Sequence, residues 1–151
     1  MGVLVKESVV TIGPKVPESI KNRLYLVSTC AFTVHEISIF SRAFQVFADY
    51  ISGNPEVNPE SHVSALFVDR DDFCISLDDP AEFGLCLSIV IYPLHRWRAA
   101  SMGNQCMYAC IFEELCHHFF VIRDEITVKH KVSEIMRIIF PDFEFGSFYN
   151  P

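Results

Sequence analysis

Two hydrophobic periods alternate along the chain. Val3–Ile12 is rich in β-branched residues and predicts a strand, ended by Gly13-Pro14. Pro17–Ser28 carries two signals: Pro17-Glu18 has the form of a helix start, while Arg23–Val34 has the composition of a strand. In Ser38–Ile51, the residues Ile39, Phe40, Ala43, Phe44 and Phe47, then Tyr50 or Ile51, recur at helical spacing. Gly53-Asn54-Pro55 stops that helix, and a polar loop runs to Ser61.

The period then shortens. Val63–Val68, Phe73–Leu77 and Gly84–Tyr92 are short apolar segments, separated by Asp69-Arg70-Asp71-Asp72 and Asp78-Asp79-Pro80. This pattern predicts three strands joined by turns, the first two antiparallel. Leu85–Ile91 is apolar nearly throughout, the mark of a central strand buried on both faces, and Pro93 closes it. Gln105–Ile122 predicts an unusually apolar helix, Arg123-Asp124-Glu125 interrupts it, and Val128–Phe140 predicts a last helix ended by Pro141. The tail carries Phe143, Phe145, Phe148 and Tyr149, so it is expected to pack back on the domain; the alternative is an exposed patch that docks a partner. The element order implies an α+β fold, a small mixed sheet with flanking helices, in one domain spanning 1–151.

Composition narrows the function classes. At 151 residues and 50% hydrophobic, the chain can build a sizeable core, which excludes disorder as a description of the whole. A mean hydropathy of +0.26 prompts a membrane test. The longest uncharged apolar stretch, Phe83–Leu94, is broken by Gly84, Ser88 and Pro93, and a spanning helix needs about 20 apolar residues. The opening residues lack the basic start and apolar run of a signal peptide, so the expectation is a soluble cytoplasmic protein with no membrane partner. With 19 acidic residues against 12 basic ones and no basic stripe, no nucleic acid is expected as a partner either. The six cysteines form no C-x-x-C pair, and core packing is the expected role of each.

One segment carries candidate chemistry. In Ile111-Phe112-Glu113-Glu114-Leu115-Cys116-His117-His118-Phe119-Phe120, ionisable groups interrupt an apolar helix. Glu113 and His117 lie one turn apart on one face, and Glu114 and His118 repeat the spacing on a stripe rotated by about 100°. As ordinary ion pairs each would contribute only about 0.2–0.5 kcal/mol. Two such pairs side by side in an apolar helix point further, because burying unpaired charge is costly. Asp124 shares the Glu113 face if the helix continues, yet lies about 10 Å beyond His117, so it can ligate only if the chain turns back after Phe120. Glu114-Leu115-Cys116-His117 also reads as E-x-x-H, but no second copy exists for a di-iron site.

Glu113-Glu114-Leu115-Cys116-His117 resembles the H-E-x-x-H helix of the zincin metallopeptidases, with a glutamate in place of the first histidine. The resemblance implies zinc as cofactor, held by Glu113 and His117, with Glu114 as the general base. In the gluzincin branch a glutamate on the next helix completes the site, and Glu134 is the candidate; Asp124 or Glu125 would serve if the chain turned early. A carboxylate binds zinc at about 2.0–2.2 Å, so Glu113 is compatible with a site, although its charge would weaken the acidification of bound water. His118 is an accessory candidate, and Tyr108 and His95 are further donors. The implied function is zinc-dependent hydrolysis of a peptide or protein substrate. The alternative is an inactive interaction module with a protein partner or a homo-oligomeric state.

Overall fold

The computed structural model describes residues 3–5, 12–77 and 88–150. Strands β1 (Val3–Val5), β2 (Leu24–Ser28), β3 (Val63–Val68), β4 (Ile75–Leu77) and β5 (Ile89–Pro93) combine with helices α1 (Val34–Ile51), α2 (Leu94–Ala99), α3 (Asn104–Phe119), α4 (Glu125–Ile139) and α5 (Phe145–Tyr149). A 3-10 turn at Glu18–Ile20 precedes β2, so the Pro17–Ser28 segment splits into a turn and a strand.

The strand pairing differs from the sequence expectation. β3 does not pair with β4. It lies at the centre of a parallel sheet of order β2-β3-β5, with Leu66 opposite Val27 on one side and Ile91 on the other. β4 instead pairs antiparallel with β1. Among the described residues β5 is therefore an edge strand, and the strand covered on both faces is β3, where Ala65, Leu66, Phe67 and Val68 are all buried. An alternating or continuous apolar run fixes how a strand faces the core, not which neighbour it selects. The Asp69–Asp72 stretch follows β3 as a bend and is not a hairpin turn.

Helix α1 begins four residues earlier than its apolar pattern alone indicates. Thr33 Oγ1 accepts the Glu36 N–H at 3.1 Å and Glu36 Oε2 accepts the Thr33 N–H at 2.8 Å, a reciprocal capping box that satisfies two end donors. Gly53, at φ +68°, takes the left-handed position that ends the helix. Between these ends Phe40, Phe44 and Phe47 are fully buried. Phe40 meets Phe67 of β3 at 4.9 Å between centroids and Tyr92 of β5 at 5.2 Å, while Phe47 meets Phe119 of α3 at 5.2 Å. The same helix thus clamps the sheet to α3.

The Tyr92 hydroxyl donates to the Ile111 carbonyl at 3.2 Å, a second tie between sheet and α3. Phe143 is buried, and Phe148 and Tyr149 pack against the core, so the aromatic tail folds back as expected. The cysteines divide: Cys30 and Cys116 are buried, Cys110 is half-buried, and Cys74 and Cys106 are exposed, which corrects the expectation of a core role for these last two. Cys86 lies outside the described residues. No helix among the described residues is long and apolar enough to cross a membrane.

Candidate metal centre

The C-terminal end of α3 is held from outside the helix. Asn58 N–H donates to the Phe119 carbonyl and Ser61 Oγ to the His118 carbonyl, both at 2.9 Å, satisfying two of the acceptors that a helix end leaves open. Arg23 anchors that loop through the Ser61 and Asn58 carbonyls and lies 4.7 Å from the Phe119 ring centroid. The helix stops at Phe119 rather than running to Ile122. Val121 then adopts φ +54°, a left-handed conformation that is costly for a β-branched residue, and this reverses the chain. Asp124 caps α4, its Oδ2 accepting the Thr127 N–H and hydroxyl, and α4 starts at Glu125 rather than at Val128.

The reversal brings Glu125 across from His117. Glu113, His117 and Glu125 each place one ligand-type atom so that all three lie within 4.8 Å of one another. His117 Nε2 is 3.7 Å from Glu125 Oε1. Metal–ligand bonds of about 2.0–2.2 Å in a tetrahedron set neighbouring ligand atoms about 3.4 Å apart. Small side-chain rotations therefore close the group on one ion. The other ring nitrogen, His117 Nδ1, is 2.7 Å from the Ile122 carbonyl. A carbonyl only accepts, so Nδ1 carries a proton, and Nε2 is the ring atom turned toward Glu125. Metal-binding histidines are commonly oriented by such a bond.

The electrostatics favour a cation. Among the described residues, neither Glu113 nor Glu114 has a side-chain hydrogen bond or a salt bridge. Burial raises the Glu113 carboxyl above its ordinary range, Glu114 and Glu125 raise it further, and Lys129 and His117 pull it down only in part. Glu114 is also raised, first by burial, with His117 lowering it and Glu125 raising it. Burial and then His117 push His118 down, favouring its neutral form. Glu113 and His117 are half-buried and Glu125 is exposed, so the group pairs two partly desolvated side chains with one that solvent reaches.

The expected third ligands separate. Glu125 joins Glu113 and His117. Asp124 is occupied in capping α4. Glu134 accepts a hydrogen bond from the Tyr50 hydroxyl and lies beside Lys131, outside the group. Of the other donors, His95 bonds Asp71 at 2.8 Å, and Tyr108 is buried against Phe112 and Phe140. A cleft adjoins the site, bounded by Asn58, Glu60, His62, His117, His118 and Val121. Sequence reasoning did not find His62, which reaches the cleft from the loop before β3 with no periodicity linking it to α3.

No protein-family model, curated protein or solved structure matches the chain.

Proposed function

We propose that this protein is a zinc-dependent hydrolase of peptide bonds, built on Glu113, His117 and Glu125, with Glu114 as proton acceptor. The observation that carries the reading is the double position of His117. Its ligand atom belongs to the carboxylate group, and its ring also borders the cleft. A hydrolytic site needs an ion-binding group with substrate space beside it, whereas an interaction module needs neither.

Three protein ligands leave one position open in a tetrahedral site, and zinc there supplies a Lewis acid and an acidified water. The chain's own residues do the rest. The cleft orders the peptide, with His62 and His118 offering ring donors on its walls. Glu114 takes a proton from the attacking water at its carboxylate and returns it to the departing amine nitrogen as the C–N bond breaks. Burial raises its pKa, the direction that suits a carboxylate that must both accept and release a proton. Glu113 in place of an imidazole makes the group more anionic, so the site favours ion retention over strong acidification of water.

The cytoplasm fits as its location, since Cys74 and Cys106 are exposed and unpaired among the described residues, as thiols are in a reducing compartment. Docking a partner through the phenylalanine-rich tail has less support. Phe145 stacks on His130 at 4.4 Å and Phe143 packs on Phe148 at 5.0 Å, so these rings are engaged within the chain. The test is a peptide-library digest with zinc-loaded protein beside Glu114→Gln. Cleavage by the parent and none by the variant supports the reading; no cleavage by a parent that holds zinc overturns the hydrolytic part of it.

A further inference from the structure

A cavity of about 290 Å³ opens at the carboxyl ends of the parallel strands β3 and β5, whose last residues, Val68 and Pro93, both line it. That is the end of a parallel sheet at which open α/β folds take their ligands. Phe73 and Ile91 add an apolar wall, and Ile91 is a large hydrophobic side chain left exposed. The charged lining is of the opposite character. Among the described residues it holds Arg70 and Arg96 with His95, against Asp71 as its one carboxylate. A chain with a net charge of −7 thus gathers basic groups around this space. No residue of the candidate metal centre lines it, so what it binds is independent of that reading.

The donors in this cavity converge. His95 Nε2 at 2.8 Å, Arg96 Nε at 3.0 Å and Arg96 Nη2 at 2.8 Å all reach a single oxygen, Asp71 Oδ1. The other ring nitrogen of His95, Nδ1, lies 3.3 Å from the Val68 carbonyl and steadies the ring. An arginine fork and a carboxylate commonly pair through two parallel bonds, one to each oxygen. Here Asp71 Oδ2 takes no hydrogen bond among the described residues. The cradle therefore offers more donors than the aspartate uses well. A phosphoryl group, with three acceptor oxygens and a charge of about −1.5 to −2, spreads those donors over separate atoms.

We infer that this cavity binds a small organic phosphate monoester, whose phosphoryl oxygens are taken by His95 and Arg96 and whose apolar body lies on Phe73 and Ile91. Asp71 is then a built-in plug that the ligand displaces. Its side chain is 70% exposed, so it can turn out into solvent when displaced. A carboxylate guest would exchange like for like against a side chain already tethered in place. The greater charge of a phosphate is what lets a free ligand compete with that tether.

The test titrates phenyl phosphate and benzoate into the full chain by calorimetry, in metal-free protein so that an ion elsewhere cannot capture the phosphate. Four proteins are compared: the parent, Asp71→Ala, Asp72→Ala, and Asp71→Ala combined with Arg96→Gln. Asp71 and Arg96 are largely exposed, so their replacement leaves the core intact. Phenyl phosphate is expected to bind Asp71→Ala about 10-fold or more tighter than the parent, and the added Arg96→Gln is expected to remove that gain, the scale of hydrogen bonds to charged groups. Asp72→Ala deletes the same charge one position along and is expected to match the parent. Benzoate is expected to bind each protein more weakly than phenyl phosphate. Failure of Asp71→Ala to bind phenyl phosphate, affinity equal to the parent, or a gain that survives Arg96→Gln overturns the inference. So does an equal gain in Asp72→Ala, which marks a general charge effect, or tighter binding of benzoate, which marks a carboxylate site.

Discussion

His117 and Glu125 face each other with Nε2 and Oε1 3.7 Å apart, although eight positions of chain and a helix boundary separate them. The turn at Val121 creates this relationship, and the bond from His117 Nδ1 to the Ile122 carbonyl uses the same turn to set the ring. One local reversal thus both brings Glu125 into the candidate group and orients the ring of His117.

Removing ligands has a graded outcome. His117→Ala deletes the only nitrogen ligand and is expected to weaken zinc binding by well over 100-fold, beyond the range typical of outer partners. Glu125→Gln is expected to weaken it by a smaller factor, because the amide oxygen still donates without the charge. Asp124→Asn and Glu134→Gln are expected to change it less than threefold. Competition titration against a chromophoric chelator measures all four, and a large effect at Glu134 would move the third ligand there.

Glu114→Gln separates binding from chemistry. The substitution keeps the side-chain shape, so zinc affinity is expected to stay within a few-fold of the parent. Loss of a general base typically costs about 10²–10⁴-fold in rate. Paired measurement of zinc stoichiometry and peptide turnover checks both halves.

The raised carboxyls set a pH dependence of stability. Glu113 has a folded pKa above that of an unfolded glutamate, near 4.3 in model peptides, so its neutral form suits the fold. Its stabilising share is complete below about pH 4 and is lost as pH rises through the raised folded value. Glu114 has the same sign. Glu36 runs the other way: its hydrogen bonds to Arg98 and Thr33 outweigh burial and hold it below the ordinary range, so its share is lost on acidification. Thermal melts of metal-free parent and Glu113→Gln from pH 4 to 8 are therefore compared by difference. The variant is expected to gain on the parent as pH rises, and saturating zinc is expected to reverse that order at pH 7.

Val121 is strained, and it is 58% exposed, so little packing opposes its replacement. The left-handed conformation costs a residue with a branched β-carbon about 1–2 kcal/mol, whereas asparagine tolerates it. Val121→Asn is expected to raise unfolding free energy by roughly 1 kcal/mol in urea titration while leaving zinc affinity unchanged, since the turn persists.

The readability of the chain follows the range of the interactions. Helix α1 is legible because Ile39, Phe40, Ala43, Phe44 and Phe47 mark one face by local spacing. The pairing of β3 with β2 and β5 is not, because no pattern within Val63–Val68 names a partner. Glu113, Glu114 and His117 are legible as a one-turn motif. The end of α3 is not, since valine gives no sign of a left-handed turn, and the choice of Glu125 over Glu134 depends on that turn.

The central claim is that Glu113, His117 and Glu125 hold one metal ion. Elemental analysis of protein purified without a metal-affinity tag, beside His117→Ala, tests it most directly. The account predicts close to one zinc per chain in the parent and almost none in the variant. Absence of metal from both, even after zinc is offered and excess removed, would contradict it.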